Sequence, residues 1–233
     1  SALRSAIQSP PLDVGADYLG EAQFDVDYTV VGNDLELELV ETPFLNYNAA
    51  HRVSPHTDSK VLARIREPYF SRSYGKYSSH QNTPYLLEDA PHPAIIRKGA
   101  VIYIAHELDK MYHQHGARLH RDLFVQVLKL LHPRPMVATE LPSAARMSVL
   151  HQPEKQRYVV HLLYGPSIQR GECEVIEDLP ELREVPLTVD FPSTIRRAFL
   201  VPDELELPLK EVDGRSVISI PAFSCHCAVV FEY

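Results

Sequence analysis

The last third of the chain alternates short apolar-rich runs with turn residues. RMSVLHQ from Arg146, RYVVHLLYG from Arg157, REVPLTVDFP from Arg183, IRRAFLVP from Ile195, RSVISIP from Arg215 and CHCAVVFEY from Cys225 predict six β-strands. In RYVVHLLYG the period of two sends Tyr158, Val160, Leu162 and Tyr164 one way and Val159, His161 and Leu163 the other. Both faces are largely apolar, as in a central strand. The block predicts an antiparallel β-sandwich.

The earlier part is mixed. Residues 1–20 read as loop. FDVDYTVV (Phe24–Val31) alternates, Gly32-Asn33 turns the chain, and LELELVET (Leu35–Thr42) alternates again. This predicts a β-hairpin with Leu35, Leu37 and Leu39 buried and Glu36 and Glu38 in solvent. SKVLARIRE predicts a strand, and AIIRKGAVIYIA (Ala94–Ala105) a hairpin bent at Gly99. HELDKMYHQH predicts a short helix stopped by Gly116. GARLHRDLFVQVLKLLHP predicts a second, with Leu119, Leu123, Phe124, Val127, Leu128 and Leu131 on one face and Pro133 and Pro135 ending it. The Pro-spaced stretch PRPMVATELPSAA divides the chain into residues 1–138 and 139–233.

Residues 68–93, PYFSRSYGKYSSHQNTPYLLEDAPHP, fit neither pattern. The segment is too polar for a core and too aromatic for a disordered linker. A loop this long is uncommon without a task, either covering another domain or lining a cleft.

Composition narrows the function. A formal net charge of -8 argues against a nucleic-acid partner, whose phosphates require a basic face. Arg outnumbers Lys 16 to 7, which suits forks to carboxylates and carbonyls. No apolar run approaches the ~20 residues that cross a bilayer, and SALRSAIQSPPLDVG lacks the plan of a signal peptide. A cytoplasmic protein with no membrane partner is the expectation. Cys173, Cys225 and Cys227 make no disulfide framework. Alternation puts both sulfurs of Cys225-His226-Cys227 on one face and His226 on the other, so buried free thiols are expected over a zinc site.

Chemical signatures are incomplete. His106, His113, His115 and His120 fall within fifteen residues, but Gly116 interrupts them and no HExxH occurs. Glycosidase chemistry needs two carboxylates across a cleft. Glu107 and Asp109 sit where a helix dipole favours acids, and Asp122 beside Arg121 fits an ion pair. Ser79-His80 lacks a nucleophile elbow, and the nine glycines form no phosphate loop. The six carboxylates from Glu172 to Glu184 lack the ligand spacing of a calcium loop. No catalytic residue, metal or cofactor is assigned.

Over KGAVIYIAHELDKMYHQHGARLHRDL, LPSAARMSVLHQPEKQRYVVHLLYGPSIQRGECEVIEDLPEL and IPAFSCHCAVVFEY the chain resembles the C-terminal part of bacterial β-galactosidase-like glycoside hydrolases. SSHQNTPY (Ser78–Tyr85) is similar to the tail of their amidotransferase-like domain. The resemblance implies an α+β or α/β chain, a partial amidotransferase-like (flavodoxin-like) α/β region followed by a C-terminal antiparallel β-sandwich. The catalytic (β/α)₈ barrel of that family has no counterpart here. A fragment or a split gene, acting as a non-catalytic accessory and assembly region of a homo-oligomeric glycosidase, is expected. Ser79, His80, Gln81, Asn82, His106, Tyr112, Arg118, His120 and Arg121 are the candidates for contact with the missing barrel, a neighbouring subunit or a carbohydrate ligand. A free-standing carbohydrate-binding module is the alternative. It is disfavoured because the chain has no Trp and its β-block offers only Tyr158, Tyr164 and Tyr233. An independent hydrolase using Glu107 or Asp109 is a weaker one.

Overall fold

The computed structural model describes residues 12–35, 37, 38 and 40–233. The chain falls into two compact units that meet in sequence at Pro133 and Arg134.

In the first unit a five-stranded sheet has the order β3 (Phe44–Asn46), β2 (Asp27–Val31), β5 (Lys60–Arg66), β6 (Pro93–Lys98), β7 (Val101–Ile104). A two-stranded ribbon pairs β1 (Ala16–Gly20) with β4 (Arg52–Pro55). The stretch 16–20 is therefore strand where loop was expected, and residues 1–11 of that expectation lie outside the described residues. β6 and β7 form the hairpin bent at Gly99. Helices α1 (Leu108–His115) and α2 (Arg118–Leu131) follow. α1 stops at Gly116, whose φ of 63° is the left-handed cap that releases the chain. Ala63, Ile65, Ala94 and Ile95 of the sheet share one core with Leu108, Met111, Leu123 and Val127 of the helices.

Three expectations for this unit are corrected. A flavodoxin-like region needs parallel strands joined by crossover helices, whereas every strand pairing here is antiparallel. The hairpin partner Leu35–Thr42 is not a strand where it is described, and Glu36 and Leu39 lie outside the described residues. Both edges of β2 are occupied, by β3 and β5. Leu35 reaches the core from a turn, 2% exposed, with Leu37 and Val40 packed beside it. On α2 the buried positions are His120, Leu123 and Val127, while Phe124, Leu128 and Leu131 face solvent. An inward histidine, invisible to a hydropathy count, turns the helix away from the expected stripe.

The second unit is a β-sandwich. One sheet has the order β15 (Leu205–Glu206), β14 (Arg197–Val201), β18 (Cys225–Glu232), β10 (Arg157–Tyr164), β9 (Arg146–Gln152). The other has β16 (Lys210–Val212), β17 (Arg215–Phe223), β13 (Leu182–Val189), β8 (Val137–Thr139). All six predicted runs are strands. Tyr158, Val160, Leu162, Cys227, Val229 and Phe231 meet Val185, Leu187, Val189, Ile218 and Ile220 in one core. Val159 lies on the opposite face with Phe199, Ala228 and Val230.

β11 (Ile168–Arg170) and β12 (Cys173–Val175) form a separate ribbon, where Arg170 forks onto Glu177 at 2.9 and 2.8 Å. Only Cys227 is fully buried, and burial pushes its thiol up to about 11. Cys225, expected to be buried with it, is only half-buried, and Cys173 is exposed on that ribbon.

Phe231 is wholly buried at the centre of the sandwich. Phe231→Ala is expected to lower the unfolding free energy by about 4 kcal/mol, read from denaturant melts of the whole chain.

Candidate functional site

The loop between β5 and β6 is built from its base outward. Tyr28 of β2 donates its hydroxyl proton to the Thr83 carbonyl at 2.5 Å, and its ring meets Tyr85 edge-on at 5.2 Å. Burial, with Tyr85 adding to it, pushes the Tyr28 phenol up and keeps it a donor. Thr83 donates its own hydroxyl to the Phe70 carbonyl at 2.7 Å. Backbone bonds from Tyr69 to Pro84, Leu86 to Glu67 and Ala90 to Ile65 close the base at 2.7–3.1 Å. Arg66 of β5 lies over the Tyr85 ring. Farther out, Ser73 and Lys76 exchange backbone bonds and Arg72 covers the Tyr77 ring.

The tip nevertheless presents Tyr69, Tyr74 and Tyr77 to water, with Tyr77 76% exposed. A segment so firmly tied at its base, yet so aromatic outside, has the anatomy of a contact surface.

The nine candidate residues separate into three groups. Ser79 and His80 lie exposed on this loop, while Gln81 and Asn82 line a groove of about 210 Å³ with Asp25 and Arg72. Arg118 and Arg121 grip Asp122 at 3.1 and 3.3 Å, beside a smaller groove of about 120 Å³ that includes Glu38. Tyr112 is exposed on α1. His106 and His120 are buried in the core of the first unit.

His106 belongs to a network whose centre is Asp27. The Asp27 Oδ1 accepts from His106 Nε2 at 2.7 Å and from Asn46 Nδ2 at 2.7 Å, and its Oδ2 accepts from the Ala50 N–H at 2.7 Å. Asn46 also donates to Thr29 Oγ1 at 2.8 Å. Asp27, Thr29 and Asn46 are all buried. With three donors on it and no access to water, Asp27 is a joint between segments and no reagent. Sequence reasoning missed Asp27, Thr29 and Asn46. The only signal available was a polar residue at an inward position of an alternating strand, Asp27 in FDVDYTVV.

His120 has no such partner. Neither ring nitrogen meets a hydrogen-bonding group, and the ring lies between Phe44 and Tyr47 at centroid distances of 6.1 Å. Burial holds its pKa below the ordinary histidine value. The Leu45 backbone pulls the other way without reaching hydrogen-bond geometry, and the neighbouring His106 and His115 reinforce the depression. His92, 3% exposed, is depressed for the same first reason, with Glu67 opposing.

Among the described residues no group of three or more His, Cys, Asp or Glu is placed to hold a metal ion. In the C-H-C motif the Cys227 sulfur points into the sandwich and His226 stands on the other face, 3.1 Å from His161. Two of the three acids considered for hydrolysis have structural partners, while Asp109 makes no side-chain hydrogen bond or ion pair among the described residues. Glu107 is held by Lys110 at 2.7 Å, and Asp122 by two arginines.

No family model matches the chain, and no curated protein does. Among solved structures the chain is similar to α-L-fucosidase isoenzyme 2 from Paenibacillus thiaminolyticus, at 29% sequence identity and a TM-score of 0.90. The likeness covers 97% of this chain and 34% of that one, so the chain spans about a third of the length of the fucosidase. Its fold is related to that of a glycoside hydrolase.

A buried neutral histidine makes the first unit acid-sensitive. With a depressed folded pKa, the neutral His120 favours the fold fully above the unfolded value of about 6.5, and that advantage is lost as pH falls toward the folded value. The melting temperature of the whole chain is expected to drop as pH falls below about 6.5, and His120→Phe to flatten the drop. Asp27→Ala is expected to cost about 3 kcal/mol by chemical denaturation, because it leaves buried donors without an acceptor.

Proposed function

We propose that this chain is a non-catalytic accessory and assembly region of a glycoside hydrolase, an α-L-fucosidase in preference to a β-galactosidase. The observation that carries the reading is the extent of the likeness: nearly all of this chain matches a third of a fucosidase. The structural pairing of Glu107 and Asp122 supports it, since neither carboxylate is left free for acid–base work. In this reading the catalytic groups belong to a barrel outside this chain. The loop carrying Ser79, His80, Gln81 and Asn82 faces that barrel or a neighbouring subunit of a homo-oligomer.

The apolar stripe Phe124, Leu128 and Leu131 on α2 is a second contact surface. Exposed large apolar groups that repeat along one helix face form a contiguous patch of the kind that marks a contact surface. A carbohydrate-binding module is the competing reading, and the exposed tyrosines of the 68–92 loop favour it to that extent.

The purified chain is expected to release no chromophore from aryl α-L-fucosides or aryl β-D-galactosides. Turnover that disappears in Glu107→Gln or Asp109→Asn would overturn the accessory assignment. In a longer protein carrying both this chain and a barrel, His80→Ala is expected to lower turnover by about tenfold or more, or to weaken assembly. Unchanged activity and unchanged sedimentation would remove the loop from the contact surface.

A further inference from the structure

The sandwich carries a second cavity that the accessory reading does not use. One wall is the hairpin joining β16 to β17, a two-residue turn at Asp213-Gly214 with φ of 50° and 70° at its two positions. Positive φ at both central residues is the tight hairpin geometry that glycine and aspartate favour. The other wall is the connection DFPSTI after β13. Asp190 anchors it, taking both oxygens onto the Arg134 guanidinium and donating its N–H to the Met136 carbonyl at 2.8 Å. Phe191 anchors it again, its ring stacked on Tyr158 at 4.0 Å and 7° and set edge-on to Phe231 at 5.7 Å. Both walls are thus held before any ligand arrives. That removes much of the ordering cost of binding.

Between these walls is a pocket of about 230 Å³. Ser193, Thr194, Glu211 and Arg215 line it, and none of these side chains makes a hydrogen bond or an ion pair among the described residues, although the Arg215 charge acts on Asp190 and helps hold that carboxyl below its ordinary range. Asp190 is occupied by Arg134, so the groups left to a ligand are one carboxylate, one guanidinium and two hydroxyls. Their charges cancel. An anion entering would meet Glu211 and a cation Arg215, so neither is favoured by the field of the pocket. A ligand with several hydroxyls suits it, since each hydroxyl can donate to the carboxylate and accept from the guanidinium. Phe191 and Pro192 supply an apolar patch for the C–H face of a ring.

We propose that this pocket binds one residue of a neutral saccharide, held by Glu211 and Arg215 with Ser193 and Thr194 completing the hydroxyl contacts. The site needs no tryptophan platform, and every residue that lines it belongs to the second unit.

Titration calorimetry of the whole chain with methyl α-L-fucoside and methyl β-D-galactoside tests it. At least one sugar is expected to bind saturably with a Kd of about 1 mM. Glu211→Gln and Arg215→Met are each expected to weaken binding about tenfold. Glu211→Gln should not move the melting temperature, since that side chain has no partner among the described residues. Arg215→Met should lower it only slightly, through the lost attraction to Asp190. Arg121→Ala, in the other unit, should leave binding unchanged. No heat up to about 20 mM of either sugar overturns the proposal. So does binding indifferent to both pocket substitutions, or tighter binding of inorganic phosphate than of either sugar. Failure here leaves the accessory reading standing, because that reading is tested by turnover and assembly.

Discussion

A carboxylate removed from water must be surrounded by donors, and in the first unit that requirement organises everything near it. Asp27 draws a side-chain amide from β3, a backbone N–H from the segment before β4 and an imidazole from the start of the helical pair. Those three groups come from positions 19, 23 and 79 residues away. A hydrophobic core alone would hold strands and helices together with some freedom of rotation. A hydrogen-bonded carboxylate has directional partners and little such freedom. The sheet edge, the connection to β4 and the approach to α1 are therefore fixed relative to one another. β5, from which the aromatic loop departs, pairs directly with the strand that carries Asp27.

The same frame explains how the loop can be long, polar and still ordered. Its base is tied to β2 through Tyr28 and to β5 through Arg66. Thr83, almost fully buried, closes it from inside. Exposure of the tyrosines beyond that base then costs little conformational certainty, which suits a surface meant to meet another molecule. The charged residues follow a related economy. Most arginines near the candidate grooves are committed to carboxylates, Arg118 and Arg121 to Asp122 and Arg134 to Asp190. Arg215 and Glu211, which are not so committed, line the one groove argued to take a ligand.

The two units differ in how far a local pattern reveals them. In the sandwich the strands are short apolar-rich runs set off by turn residues, so RYVVHLLYG and CHCAVVFEY announce themselves as strands although they pair across a long stretch of chain. In the first unit LELELVET has a strand's period of two, but β2 has no free edge for it to join, and Leu35 is buried from a turn. The helix carrying His120 shows the opposite case. Its apolar residues define one stripe, yet packing selects another that includes a histidine and leaves Phe124 and Leu128 outside. A sequence resemblance pointed to a glycosidase, and the solved fucosidase structure supports that level of relationship. The implied flavodoxin-like topology did not survive, because strand direction depends on which segments meet.

From its own residues the chain settles its strand-rich second half, its hairpin at Gly99, its two short helices and its long aromatic loop, because period, turn residues and helix stops are local properties. Which strands pair, which face of α2 is buried, and which acids are joints were decided by tertiary structure. Each of those depends on partners far along the chain, as Asp27 depends on Asn46, Ala50 and His106. The pocket beside Glu211 and Arg215 is of the same kind. Its two walls are adjacent only because β13 and β17 lie side by side in one sheet.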